Sequence, residues 1–168
     1  MCWKTKKLPE KKVATEDISI IKVVAKNEDS DVIVPYYMLG TYKYKLGEEY
    51  KTRIGLIGEH ITYREEMPVY FIEKGFHSYS KDMCSYSKDK DAFGKEYIAI
   101  TKPNLECAMF GTRIHNELDK TSINKFGLFK EYEPVVVSGY VPKGSEYYLN
   151  EEGEIVSDKI VLKEVMDI

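Results

Sequence analysis

The sequence predicts a strand-dominated α+β fold, a single domain built on a twisted antiparallel or mixed sheet, or a split sandwich, with one or two short helices. Three observations lead there. Runs of β-branched and aromatic residues recur along the chain, turn residues separate them at short intervals, and apolar residues at helical spacing are scarce. The clearest stretch is the C-terminal one, Val135-Val136-Val137-Ser138-Gly139-Tyr140-Val141, then Pro142-Lys143-Gly144-Ser145, then Glu146-Tyr147-Tyr148-Leu149. Asn150-Glu151-Glu152-Gly153-Glu154 follows as a turn, and Ile155 to Leu162 supplies the last strands. With 168 residues the chain is long enough to bury a core without disulfide or metal staples.

Taken in order, residues 1–17 form a basic, polar N-terminal arm with little expected structure, and residues 18–168 form the globular domain. Ile18-Ser19-Ile20-Ile21-Lys22-Val23-Val24 is a buried first strand by its density of β-branched residues. Residues 26–31 are a loop by composition. Val32 to Tyr37 is apolar, but Pro35 demotes it to an edge strand or an extended segment. Thr41 to Gly47 alternates Tyr42, Tyr44 and Leu46 against Lys43 and Lys45, a half-buried strand ending in a glycine turn. Residues 51–67 are a variable excursion. Val69 to Ile72 and the segment after Gly75 are strands; residues 81–95, rich in Lys, Asp and Ser, are a short helix or a loop. Glu96 to Ile100 is a strand stopped near Pro103, and Leu105 to Leu118 is a weak helix interrupted by Gly111.

The net charge of −3 excludes a nucleic-acid binder of the ordinary basic kind. The charge is unevenly spread. Five lysines against Glu10 give residues 1–12 a net +4, which leaves −7 on the remainder. Nucleic acid is therefore expected only through the Lys4–Lys12 arm, and a membrane partner is not expected. The 14 tyrosines suit pleated, half-buried sheet surfaces and the rims of protein interfaces. Cys2, Cys84 and Cys107 are odd in number and widely spaced, which argues against a disulfide framework and for a cytoplasmic location. No apolar run approaches the length of a membrane-spanning helix, and the opening residues lack a signal-peptide core.

Residue patterns that carry chemistry are few. His60, His77 and His115 show no metal-ligand spacing among themselves or with the cysteines, so no metal is expected. Phosphate-cradling glycine loops are absent. Loss of Met1 would make Cys2 the N-terminal residue, the position used by N-terminal nucleophile enzymes. The pairs Glu48-Glu49, Glu65-Glu66 and Glu151-Glu152 are adjacent, so on a strand their carboxylates point to opposite faces. Cys84 or Cys107 with His77 is a possible nucleophile pair if the fold joins them. In Gly75-Phe76-His77-Ser78-Tyr79-Ser80, strand alternation sets His77 and Tyr79 on one face and Ser78 and Ser80 on the other. A histidine beside a row of hydroxyls is a pattern that can line a cleft.

Two resemblances attach to these segments. Tyr44-x-Leu46-Gly47-x-x-Tyr50, Gly75-Phe76-His77 and Val141-Pro142-Lys143-Gly144-x-x-Tyr147-Tyr148 with Ser157-Asp158-Lys159-Ile160 together resemble uncharacterised small proteins of bacteria and their phages. That resemblance spans residues 18–163 and implies no established activity. The order of a first strand, a Phe76-x-Ser78-x-Ser80 strand and a terminal Pro-Lys-Gly hairpin is similar to the ADP-ribosyltransferase fold. It implies an NAD site in which Lys22 stands for the basic first-strand residue, Ser78 and Ser80 for the hydroxyl strand, with His77 beside them and Glu154 as the late glutamate. The final strand carries Ser157-Asp158-Lys159 in place of that family's E-x-E, which implies a degenerate site. The expectation is a non-enzymatic accessory protein of a bacterium or phage that binds another protein and needs no cofactor; the alternative is a divergent NAD- or nucleotide-binding domain.

Overall fold

The structure, a computed structural model, describes residues 3–27, 32–35, 43–61, 68–90, 92–94, 96–103, 107–110 and 132–167. The described residues form strands β1 (Trp3–Thr5), β2 (Lys12–Val13), β3 (Ile18–Asn27), β4 (Ile33–Pro35), β5 (Glu49–Lys51), β6 (Gly58–Ile61), β7 (Pro68–Ile72) and β8 (Phe76–Ser80). They continue with β9 (Ser85–Lys90), β10 (Glu96–Thr101), β11 (Cys107–Phe110), β12 (Tyr132–Val141), β13 (Glu146–Leu149), β14 (Glu154–Ser157) and β15 (Lys159–Val165). The fold is strand-dominated, and no helix occurs among the described residues.

The main sheet runs β2-β13-β14-β8-β3-β12-β15-β5, each neighbouring pair antiparallel, with β4 added to β3. Its curvature follows from one short connection. β14 and β15 are separated by three strands in the sheet, yet only Asp158 lies between them in the chain. In a flat sheet those strands would lie about 19 Å apart, at about 4.8 Å per strand. Ser157 and Lys159, two residues apart, span at most about 7 Å. The sheet must curl, and Asp158 also ties its two ends: Asp158 O accepts from Thr52 N just past β5 (2.8 Å), and Asp158 N donates to Glu146 O at the start of β13 (3.1 Å). Its carboxylate accepts from Glu146 N at 3.0 Å.

Curling gives the sheet a closed inner face. Ile20 and Val24 of β3, Val137 and Val141 of β12, Ile155 of β14 and Ile160 and Leu162 of β15 pack there with Ile33, Tyr44 and Phe76. Two small sheets cover the outer face. The β11-β10-β9 sheet lays Ile98 and Ile100 on Ile21, Val23, Tyr79 and Val136. The β1-β7-β6 sheet brings Trp3 and Ile72 onto Tyr148 and Val156. Between Ser138 and Gly139 the β12–β15 register skips Lys163, a bulge that sharpens the local twist. A Cβ at position 139 would lie 2.0 Å from Val161 O, so the strands approach this closely only because the residue is glycine.

Several sequence expectations change. The N-terminal arm is not a tail: β1 pairs with β7, β2 pairs with β13, and Trp3 is 1% exposed. The lysines made residues 1–17 read as solvated, but a single indole with an apolar slot to fill outweighs them. Residues 81–95, expected as a helix or loop, contain β9, hairpinned with β10 from Ser85↔Thr101 to Lys90↔Glu96. Cys107–Phe110, inside the expected helix 105–118, is β11, its strand form fixed by pairing with β10; residues 111–118 lie outside the described residues. Of the expected strand at 41–47, Tyr44 makes an isolated bridge to Ile33 and Gly47 turns at φ +86°, while Tyr42 lies outside the described residues. The excursion at 51–67 holds β6.

Candidate functional site

The main sheet divides the five residues the sequence singles out. Lys22 lies between Ile20 and Val24 on β3 and so shares their inner face. Ser78 stands opposite Ile155 and Ser80 opposite Ile20, which turns both hydroxyls inward as well. His77 is opposite Val156, and Glu154 opposite Tyr79, on the outer face. The strand alternation expected of residues 77–80 is present, and Lys22, Ser78 and Ser80 come together. His77 and Glu154 do not join them.

Lys22 sits where β8 parts from β3. Those strands pair only at Ile20↔Ser80 and Ile21↔Tyr79, and β4 takes over the same edge of β3 from Val24. The His77 carbonyl, which lies past the last β3–β8 pair, accepts a hydrogen bond from Lys22 Nζ. Burial lowers the Lys22 pKa from the ordinary 10.5 to about 8. Ser78, 2% exposed, has no hydrogen-bond partner for its Oγ.

On the other face, His77 Nε2 lies 2.9 Å from Glu73 O. A carbonyl only accepts, so Nε2 carries the proton and the ring is held as one neutral tautomer. Burial, opposed by the Glu73 carbonyl and reinforced by the Lys22 charge, lowers the His77 pKa to about 4. Cys84 does not meet this ring: its Sγ donates to Glu152 O at 3.4 Å. Burial and then the Glu154 and Glu152 carboxylates push the thiol pKa up, with Lys102 opposing. A thiol kept protonated is a poor nucleophile. The side chains of Cys2 and Cys107 lie outside the described residues.

Glu154 belongs to a polar cluster that sequence spacing did not reveal. Asn150 Oδ1 accepts from the backbone N of Glu152 (3.1 Å) and Glu154 (2.9 Å), closing the turn between β13 and β14. Its Nδ2 donates to Lys4 O (2.7 Å) and Glu154 Oε1 (3.1 Å). Lys102 Nζ, on a side chain 10% exposed, lies 3.4 Å from Glu152 Oε2 and 3.7 Å from Glu154 Oε2. Trp3 Nε1 donates to Glu154 O at 2.8 Å. Both Glu154 oxygens are committed to partners within the protein, so the cluster anchors β1 and the β9-β10-β11 sheet to the turn. Lys102, Lys4 and Trp3 reach this turn from 50 to 151 residues away in sequence; only the Asn-x-x-Gly turn was visible beforehand.

Two surface features complete the survey. An open cleft of about 550 Å³ lies over the β12–β15 bulge, lined among others by Asp17, Lys81, Tyr140, Lys163 and Glu164. Its two lysines and two carboxylates balance, Asp17 is engaged by Lys143 N (2.8 Å), and Lys163 Nζ rests 5.8 Å from the Tyr140 ring centre. The second feature is β6, the outer strand of the β1-β7-β6 sheet. Leu56 (95% exposed), Ile57 (40%) and Ile61 (67%) project into solvent on and beside it.

The chain matches no protein-family model, no curated protein and no solved structure. Among the described residues no group of three or more His, Cys, Asp or Glu side chains is placed to hold a metal. No helix among them is long and apolar enough to cross a membrane.

Proposed function

We propose that this protein is a non-enzymatic accessory protein of a bacterium or phage that binds another protein by taking an extended segment of that partner onto the outer edge of β6, which no strand among the described residues pairs. The observation that carries the reading is the edge itself. Natural sheets blunt such edges with charge, proline or cover, because unpaired backbone groups beside apolar side chains recruit another strand. Here Leu56, Ile57 and Ile61 stand exposed at an edge, and Gly58, flat against the Phe71 ring, lets β6 lie close to β7. Strand addition supplies affinity through main-chain hydrogen bonds and specificity through alternate side chains. Glu59 shares the strand face of Ile61, and the body of the protein is acidic, so the fitting segment alternates apolar and basic residues. The cysteine content supports a cytoplasmic setting.

The test is affinity capture from the source cell with wild type and an Ile61→Lys, Leu56→Asp variant, followed by amide exchange on any complex. A partner held by wild type, lost by the variant and protecting residues 58–61 is expected. A partner that the variant retains, or protection elsewhere, refutes the reading.

A second reading, a divergent ADP-ribosyltransferase-like NAD domain, draws support from Lys22, Ser78 and Ser80 sharing one sheet face. Glu154 on the opposite face speaks against that family's full site. Saturating NAD at ~100 times its dissociation constant would add about 2.7 kcal/mol; an unchanged melting temperature would remove this reading.

A further inference from the structure

We propose that the place where β8 parts from β3 is a binding site for one small anion, of halide or carboxylate size, held by the Lys22 ammonium and the Ser78 hydroxyl. Between the last β3–β8 pair, Ile21↔Tyr79, and the first β3–β4 pair, Val24↔Pro35, no strand among the described residues pairs with this edge of β3 at Lys22 and Val23. Extending the register of Ile20↔Ser80 sets Lys22 across from Ser78 on the inner face.

Both side chains are short of partners. An ammonium has three donors, and among the described residues Lys22 gives one to His77 O and pairs with no carboxylate. Ser78 Oγ is enclosed and gives its proton to nothing. Around them stand Ile20, Val24, Val137 and Ile155, an apolar wall in which an uncompensated charge and an unmade hydrogen bond are both costly. A water molecule would satisfy the hydroxyl and leave the charge unbalanced. An anion satisfies both through charge-assisted bonds. The burial of Ser78, 2% exposed, limits its size. The site is independent of β6, so it stands or falls apart from the partner reading.

The experiment uses the full chain labelled with ¹³C,¹⁵N-lysine. The Lys22 Cε–Hε signal is assigned by its loss in Lys22→Met, or in Lys22→Arg should the first variant fail to fold. Chloride, formate, acetate and phosphate are titrated at fixed pH against gluconate, which is too large for the site. The expected result is a saturable shift of the Lys22 signal alone with chloride, formate or acetate. Ser78→Ala should weaken that affinity roughly tenfold or more, the usual cost of a lost hydrogen bond to a charged group. Non-saturating shifts shared by all lysines, saturation by phosphate only, or unchanged affinity in Ser78→Ala would overturn the proposal.

Discussion

Replacing Trp3 by alanine separates a structural N-terminus from a basic tail. An indole of this kind buries roughly 150–250 Å². At about 25 cal/mol per Å² that is roughly 4–6 kcal/mol of gross stabilisation. Alanine keeps its methyl group, which leaves a loss of about 3–5 kcal/mol, in line with large-to-small changes in cores. The tilted contact with Tyr148, ring centres 5.9 Å apart, disappears as well. The Glu154 carbonyl that Trp3 Nε1 occupies also accepts from Asn150 N at 3.1 Å, so it is not orphaned and adds little to the loss. Equilibrium urea unfolding is the assay, with an unchanged slope as evidence that the two states are the same. For a domain of this size the melting temperature should fall by roughly 6–20 °C, at about 2–4 °C per kcal/mol. Exchanging the exposed Lys6 and Lys7 for serine is the control and should move stability by no more than about 0.5 kcal/mol each. A Trp3→Ala protein as stable as wild type would refute the packing of β1 on β7 and restore the tail.

Three further outcomes follow from the geometry. His77 and Lys22 both titrate lower in the folded chain than in the unfolded one, so each contributes stability that is lost as pH falls through its folded value. For His77 the loss runs from about pH 6.5 to about 4, and for Lys22 from about 10.5 to about 8. Each amounts to about 3 kcal/mol at 1.36 kcal/mol per pKa step; His77→Gln should flatten the acid limb and Lys22→Met the alkaline one in urea midpoints measured against pH. Gly139→Ala should cost about 2 kcal/mol or more, because its Cβ would lie 2.0 Å from a backbone oxygen that cannot rotate away; a melting temperature within 2 °C of wild type, at about 2–4 °C per kcal/mol, would contradict the bulge geometry. Cys84 should react with a thiol reagent at neutral pH far more slowly in the folded protein than in urea, and equal rates would mean that its bond to Glu152 O is not made.

What was legible beforehand follows the range of the forces involved. β3, β7, β8, β10 and the C-terminal strands announce themselves because β-branched runs and turn residues act locally, and the period of two told that His77 and Ser78 would take opposite faces. β9 gave no such sign: in Ser85-Tyr86-Ser87-Lys88-Asp89-Lys90 only Tyr86 is even partly buried, and the strand exists because β10 pairs with it. β1 was hidden by its lysines, since charge counts say nothing about where one tryptophan finds a slot. The Lys102–Glu152–Glu154 cluster joins residues about fifty positions apart, a distance over which spacing carries no signal. Lys22 was singled out only as the basic residue of the first strand, with no face assigned to it. That β8 leaves β3 beside it depends on pairings no single segment encodes.

Asp158 also bears on how the chain assembles. Along the chain Asp158 lies about a hundred residues from Thr52, which it grips past β5, and 12 residues from Glu146, which it grips at the start of β13. The bonds to Glu146 extend the β13–β14 hairpin and can form locally, whereas the bond to Thr52 waits on β15 meeting β5, a non-local pairing. One inserted residue at that corner would lengthen the path around the curl without adding a strand to fill it. The tightness of the curl is therefore set by the length of a single connection.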